Sequence, residues 1–230
     1  MTSRRLPFNV RFEGAARYFA AKVPMTRPEF DKLADWAKVR AFTVAHVTKA
    51  RALQGVMDAV QAAVDDGLTM GDFNKVLDDV VGVKLAPWHA ETVFRTNTQM
   101  AYGVGRLQQQ RAQRDDFPYI QIHEVMDDRT RESHRPRNGV VLALSDARVR
   151  RWYPPSDYNC RGYADSLSDE EARAIGISPT QVVGTNGDDN GFAGPGVGED
   201  FDPDLSTLDP TLRASVRKAL RDFSPSSVDD

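Results

Sequence analysis

Apolar residues recur at helical spacing through the first 115 positions and at strand spacing only after Phe117, and this change of period decides how the chain can fold. In the first stretch Leu53, Val56, Met57, Val60 and Val64 form one stripe that Gly67 ends. Phe12, Ala16, Phe19 and Ala20 give a shorter amphipathic helix ahead of Pro24. Thr26 and Glu29 have the spacing of a capping box in front of Phe30, Leu33, Ala34 and Ala37. Thr48 is the expected cap of the Leu53 helix. Thr69 and Asp72 open another, with Phe73, Val76, Leu77 and Val80 on one face and Gly82 as its stop. Pro87 starts the longest helix, which the pattern runs to about Arg114. Along it Arg95, Gln99, Tyr102 and Arg106 share a face turned either to water or to a second domain or partner.

Beyond Phe117 the signals are those of strands and turns. Tyr119 to Val125 reads as a strand, Asp127-Asp128-Arg129-Thr130 as a turn, and Asn138-Gly139 as a second turn feeding a returning strand from Val140 to Leu144. Two prolines make Arg150-Arg151-Trp152-Tyr153-Pro154-Pro155 an ordered loop. Ser168 and Glu171 begin a short helix that Gly176 ends. From there to Arg213 Lys and Arg are absent, while Asp188, Asp189, Glu199, Asp200, Asp202, Asp204 and Asp209 accumulate among glycines. Such a stretch has too few apolar residues to offset its ordering entropy. Asp209-Pro210 then caps a last helix whose Leu212, Val216, Leu220 and Phe223 share one face, for docking on a partner or for folding back on the core. The expected class is α+β: a helical domain over 1–115, a small α+β module over 116–176, an acidic Gly-rich linker over 177–208, and a tethered amphipathic helix and tail over 209–230.

Thirty Lys+Arg against 33 Asp+Glu give a net charge of -3, which argues against a surface given over to nucleic acid or membrane. No apolar run approaches the roughly 20 residues of a membrane span. The N-terminal Met-Thr-Ser-Arg-Arg-Leu-Pro lacks the apolar core of a secretion signal, so the chain is expected to stay in the cytosol. Cys160 is the single cysteine and excludes an internal disulfide.

The densest chemistry runs from Asp127 to Arg161, where eight arginines and no lysine lie between Arg129 and Arg161. Planar guanidinium groups suit bidentate contacts with carboxylate or phosphate, and Asp127, Asp128, Glu132, Asp146 and Asp157 offer internal partners. Asp128 and the neighbouring arginines are expected to clamp the turn to the proline loop, joined by Arg95 and Arg106. His134, Asp157 and Cys160 are weak candidates for a metal, short of the usual ligand set. Arg95, Glu124, His134 and Cys160 are the residues an enzyme, a transferase or hydrolase, would be built around. No catalytic residue is assigned, no cofactor is expected, and Gly103-Val104-Gly105 lies inside a helix rather than in a phosphate cradle.

Arg95-Thr96-Asn97-Thr98, Asp128-Arg129-Thr130-Arg131-Glu132-Ser133-His134, Asn138-Gly139 and Pro154-Pro155-Ser156-Asp157-Tyr158-Asn159-Cys160-Arg161, in that order and spacing, resemble the phage head-morphogenesis family, the minor head proteins similar to protein F of phage Mu. Tyr18 to Pro24 and Arg40 to Ala45 extend the resemblance, which covers roughly residues 12 to 165. The resemblance implies a protein of the virion head, assembled in the bacterial host cytoplasm, that acts in head morphogenesis at the portal or capsid interior and assists assembly, DNA packaging or ejection. Its implied partners are the portal and the major capsid protein, with a weak contact between the Arg-rich module and packaged DNA, and no membrane. Arg95, Asp128, Arg129, Arg131, His134, Gly139, Pro154, Pro155, Asn159, Cys160 and Arg161 carry over as a motif with a structural or interaction role. In the family a histidine usually follows Pro-Pro-x and the loop ends Cys-Arg-Cys. Asp157 and Gly162 stand at those places here, so any metal site they form in relatives does not carry over whole.

Overall fold

Three capping boxes punctuate the chain where the sequence places them. The Glu29 carboxylate accepts from both the amide and the hydroxyl of Thr26, each at 2.7 Å. Thr69 and Ser168 accept from the amides of Asp72 and Glu171. A computed structural model describes residues 12–33, 38, 41–82, 84–179, 192, 194 and 195. Ala34, Ala37, the Val80 side chain, most of the acidic linker, and Leu212, Val216, Leu220 and Phe223 lie outside the described residues.

The architecture is α+β. Helix α1 (Glu13–Ala20) is followed by β1 (Val23–Pro24), α2 (Arg27–Phe30), β2 (Ala41–Phe42), α3 (Ala50–Asp66) and α4 (Met70–Val76). Helix α4 runs on as a wider turn, Leu77–Val81, to Gly82, and the long helix α5 spans Pro87–Ala112. Gly67 and Gly82 both close their helices at φ 66°, a left-handed conformation that glycine adopts without strain. Lys49, rather than Thr48, is the N-cap of α3, with its backbone extended and no side-chain cap bond, so the helix begins one residue later than the threonine signal predicts. β1 and β2 pair in parallel, Val23 with Ala41 and Pro24 with Phe42, a contact without a local sequence signature.

The second half builds a three-stranded antiparallel sheet in the order β4-β3-β5. β3 (Tyr119–His123) pairs with β4 (Val141–Ala143) and with β5 (Tyr163–Leu167). Along β3 burial alternates, with Ile120 and Ile122 inward, as a strand with one wet face requires. Arg150, Arg151 and Trp152 are helical, in α6 (Val149–Trp152), where the sequence predicts loop: the prolines stop a helix that has already made one turn. Helix α7 (Asp169–Ile175) ends at Gly176. Just beyond, the Ser178 amide bonds the Val141 carbonyl at 3.0 Å and Arg148 donates to the Pro179 carbonyl at 2.9 Å, so the chain leaves the module along β4.

Two apolar clusters meet on α5. One gathers Phe19, Phe42, Leu53, Val56, Val60, Phe73, Ala90, Ala101 and Val104 around α1, α3 and α4. The other gathers Leu107, Ile120, Ile122, Leu142, Val149, Trp152 and Tyr153 under the sheet. Gly105 and Gly103 let neighbours approach α5 from opposite sides. A Cβ on Gly105 would lie 2.7 Å from the Ala15 amide nitrogen in α1, and one on Gly103 would lie 2.8 Å from the Pro154 carbonyl. No helix among the described residues is long and apolar enough to cross a membrane.

Candidate functional site

The turn after β3, the turn containing His134 and the proline loop converge, and each contributes one buried ionisable group. The Glu124 carboxylate lies 3.5 Å from His134 Nδ1, and Cys160 Sγ lies 3.8 Å from the same nitrogen. All three residues are buried. Asn138 holds the end of β3 by accepting from the Glu124 amide at 3.0 Å, and Gly139 turns the chain back at φ 80°. Gly162 completes the enclosure: a Cβ there would come within 2.8 Å of Glu124 Oε2. Burial alone would push the His134 imidazole down, but the nearby Cys160 and Glu124 outweigh it and raise the imidazole to about 9.

Around this cluster the arginines tie the turns to the proline loop. Arg161 makes a bidentate pair with Asp127, at 2.7 and 2.5 Å. Arg135 donates to the Asp127 carbonyl, Arg131 to Asp157 at 3.1 Å and to the Tyr158 carbonyl at 2.9 Å, and Arg137 to Ser156 at 2.7 Å. The clamp residue is therefore Asp127 and not Asp128, whose side chain is exposed. Arg129 reaches Asp127 only at 3.8 Å, with its side chain 73% exposed, and is peripheral. Arg95 pairs with Glu91 of its own helix and does not join the network.

Arg106 does join, donating to the Ala164 carbonyl at 2.8 Å and to Asp165 at 2.9 Å. The polar face of α5 thus divides, part of it turned to the module and part to water. Asn159, at φ 53°, bonds its amide to Thr96 and its side chain to Thr92, anchoring the proline loop on α5. Pro154 and Pro155 lean on Gly103 and line a cleft of about 290 Å³ with Gln99, Arg106, Arg161 and Gly162.

Of the predicted metal candidates His134 and Cys160 come together, and Asp157 does not: its carboxylate turns to Arg131. Glu124 takes the third place. Of the predicted enzyme set, Glu124, His134 and Cys160 meet and Arg95 stays apart. Spacing ranks Asp157 first because it is three residues from Cys160, whereas Glu124 arrives through the β3–β5 pairing. The only hint in the sequence is that Glu124 follows in phase with the inward-facing Ile120 and Ile122.

The residues matched by the family described as Phage Mu protein F like protein are 54–164, and they include most of α3, all of α5, and Glu124, His134 and Cys160. Over these residues the chain is Mu F-like. Over 184 residues it is 33% identical to the protein of Escherichia phage Mu provisionally named capsid assembly protein F, covering 71% of this chain and 42% of that protein. Over 157 residues it is 31% identical to the Mu-like prophage FluMu F protein of Haemophilus influenzae, covering 61% of this chain and 38% of that protein. It therefore spans about two fifths of the length of these relatives. No solved structure matches it.

The Asp127–Arg161 pair predicts an acid response. Hydrogen bonds from Arg161 hold the Asp127 carboxyl well below the ordinary carboxylate range, burial opposing them and the Arg129 amide adding to them. A depressed carboxyl contributes stability that is present above its unfolded value, about 4, and lost as pH falls toward its folded value. Asp127→Asn is therefore expected to lower Tm by several degrees at pH 7, and the gap to wild type should close as pH falls below about 4. A gap of constant size down the acid limb, measured by circular dichroism, would remove the pair from the account.

Proposed function

We propose that the chain is a minor head protein of a phage and acts in head morphogenesis. The observation that carries this is the match of residues 54–164 to the Mu protein F family, with relatives whose names refer to capsid assembly or to the Mu F protein. Its partners are the portal or the major capsid protein, its place is the portal or capsid interior, and it assists assembly or the passage of DNA. The site supports an interaction module: arginines and carboxylates are spent on cross-bracing loops into a fixed surface above α5. Any contact of the module with packaged DNA is minor, because most of its arginines are engaged internally. Leu212, Val216, Leu220 and Phe223 are proposed as the partner-docking stripe.

Quantitative mass spectrometry of purified particles and empty precursors from producing cells tests this reading. Peptides of the chain should occur in both at a fixed copy number well below that of the major capsid protein. Abundant free protein with none in either particle would overturn it. An enzyme, a transferase or hydrolase, is the second reading, favoured by the meeting of Cys160, His134 and Glu124. The cleft beside that cluster is lined by Arg161 and Gly162 rather than by the three residues themselves, which weighs against a thiol working on substrate there.

A further inference from the structure

We propose that Glu124, His134 and Cys160 bind one zinc-type divalent cation. Their donor atoms, a carboxylate oxygen, an imidazole nitrogen and a sulfur, all lie within 4.8 Å of one another. The separations from His134 Nδ1, 3.5 Å to the carboxylate and 3.8 Å to the sulfur, place the groups close without a short hydrogen bond. Ligands of zinc at tetrahedral angles, with bonds near 2.0–2.3 Å, stand about 3.4–3.6 Å apart. The two separations from His134 are thus nearly at ligand spacing, and the carboxylate and sulfur, within 4.8 Å of each other, close by up to about 1 Å on binding.

Glu124 supplies the independent observation. Its side chain is 2% exposed, and its Oε1 is buried with no hydrogen-bond partner, facing His134. A buried carboxylate oxygen left that way is costly, and a cation satisfies it. Charge gives the same answer: a thiolate, a carboxylate and a neutral imidazole around a dication sum to zero, so the filled site puts no net charge into the interior. The mixed sulfur, nitrogen and oxygen set selects zinc-type ions over magnesium or calcium, which prefer oxygen alone. Three protein ligands leave the fourth tetrahedral position to water. The ion would pin the end of β3, the His134 turn and the proline loop to one point, a departure from the expectation that the chain needs no cofactor.

The test uses the full chain, stripped with a chelator, dialysed against zinc or cobalt(II), and desalted. Elemental analysis should return about one zinc per chain, and cobalt should give the thiolate-to-metal charge-transfer band together with the intense visible bands of a tetrahedral site. Glu124→Gln should weaken zinc binding about tenfold or more, and Cys160→Ser should abolish the charge-transfer band. Wild-type protein that is folded by circular dichroism and retains no metal would overturn the proposal. So would cobalt bound without the thiolate band, a result that requires no variant to fold.

Discussion

Replacing Gly105 with valine is expected to destabilise the protein by about 3 kcal/mol or more, at the upper end of what overpacking costs. The reason is backbone against backbone. A Cβ at this position lies 2.7 Å from the Ala15 nitrogen and 3.0 Å from the Gly14 carbonyl carbon, so no rotamer change relieves the contact and α1 itself must move. Gly105→Ala gives the sharper sign test. Helix propensity alone favours alanine over glycine by about 1 kcal/mol. Gly71, an exposed glycine in the first turn of α4 whose Cβ would meet nothing nearer than the Thr69 hydroxyl at 3.6 Å, should show part of that gain. At Gly105 the steric cost must exceed it, so alanine stabilises at one position and destabilises at the other. Urea unfolding of both variants reads the two signs, and a stabilised Gly105→Ala would mean that α1 does not cross α5 so closely.

The second large effect belongs to Tyr153, which is 1% exposed in the cluster beneath the sheet. Its hydroxyl donates to Gln110 Oε1 at 2.7 Å, and the Gln110 amide donates onward to the Ala164 carbonyl at 3.1 Å. Burial holds the phenol protonated far above its ordinary range, keeping that hydroxyl a donor. Tyr153→Ala should cost about 4–5 kcal/mol, combining a ring-sized cavity with an orphaned Gln110 oxygen. Tyr153→Phe keeps the ring and isolates the polar part, about 1–2 kcal/mol. Equal losses in the two variants, by the same urea measurement, would show that packing contributes little here.

The caps are legible in the sequence because they are local: Thr26 with Glu29, Thr69 with Asp72 and Ser168 with Glu171 need only neighbours within one turn, whereas the helix expected to carry Leu33 ends at Phe30, Asp31 to Leu33 forming a turn. β5 is not legible. Tyr163-Ala-Asp-Ser-Leu is short and polar, and it becomes a strand through its partner β3. The two-residue parallel contact of β1 with β2 joins positions 18 residues apart, beyond the reach of any local pattern. At the site, composition identifies the arginine-rich region, but spacing cannot choose between adjacent Asp127 and Asp128. Turn geometry does, since Asp127 also accepts from the Arg129 amide at 3.0 Å and so faces inward toward Arg161. The same limit explains Asp157 and Glu124: nearness in sequence favours the first, and nearness in space belongs to the second.

Gly103 and Gly105 are two residues apart on one helix and serve contacts on opposite sides of it, which makes α5 a shared axle. Its 26 residues extend about 39 Å at the rise of a regular helix. α1 grips one flank at Gly105 and the proline loop grips the other at Gly103, both by main-chain contact with little slack. The helical core and the proline loop are thus each seated against the same rod within two residues of one another, so neither can be repositioned on it without opening a backbone contact.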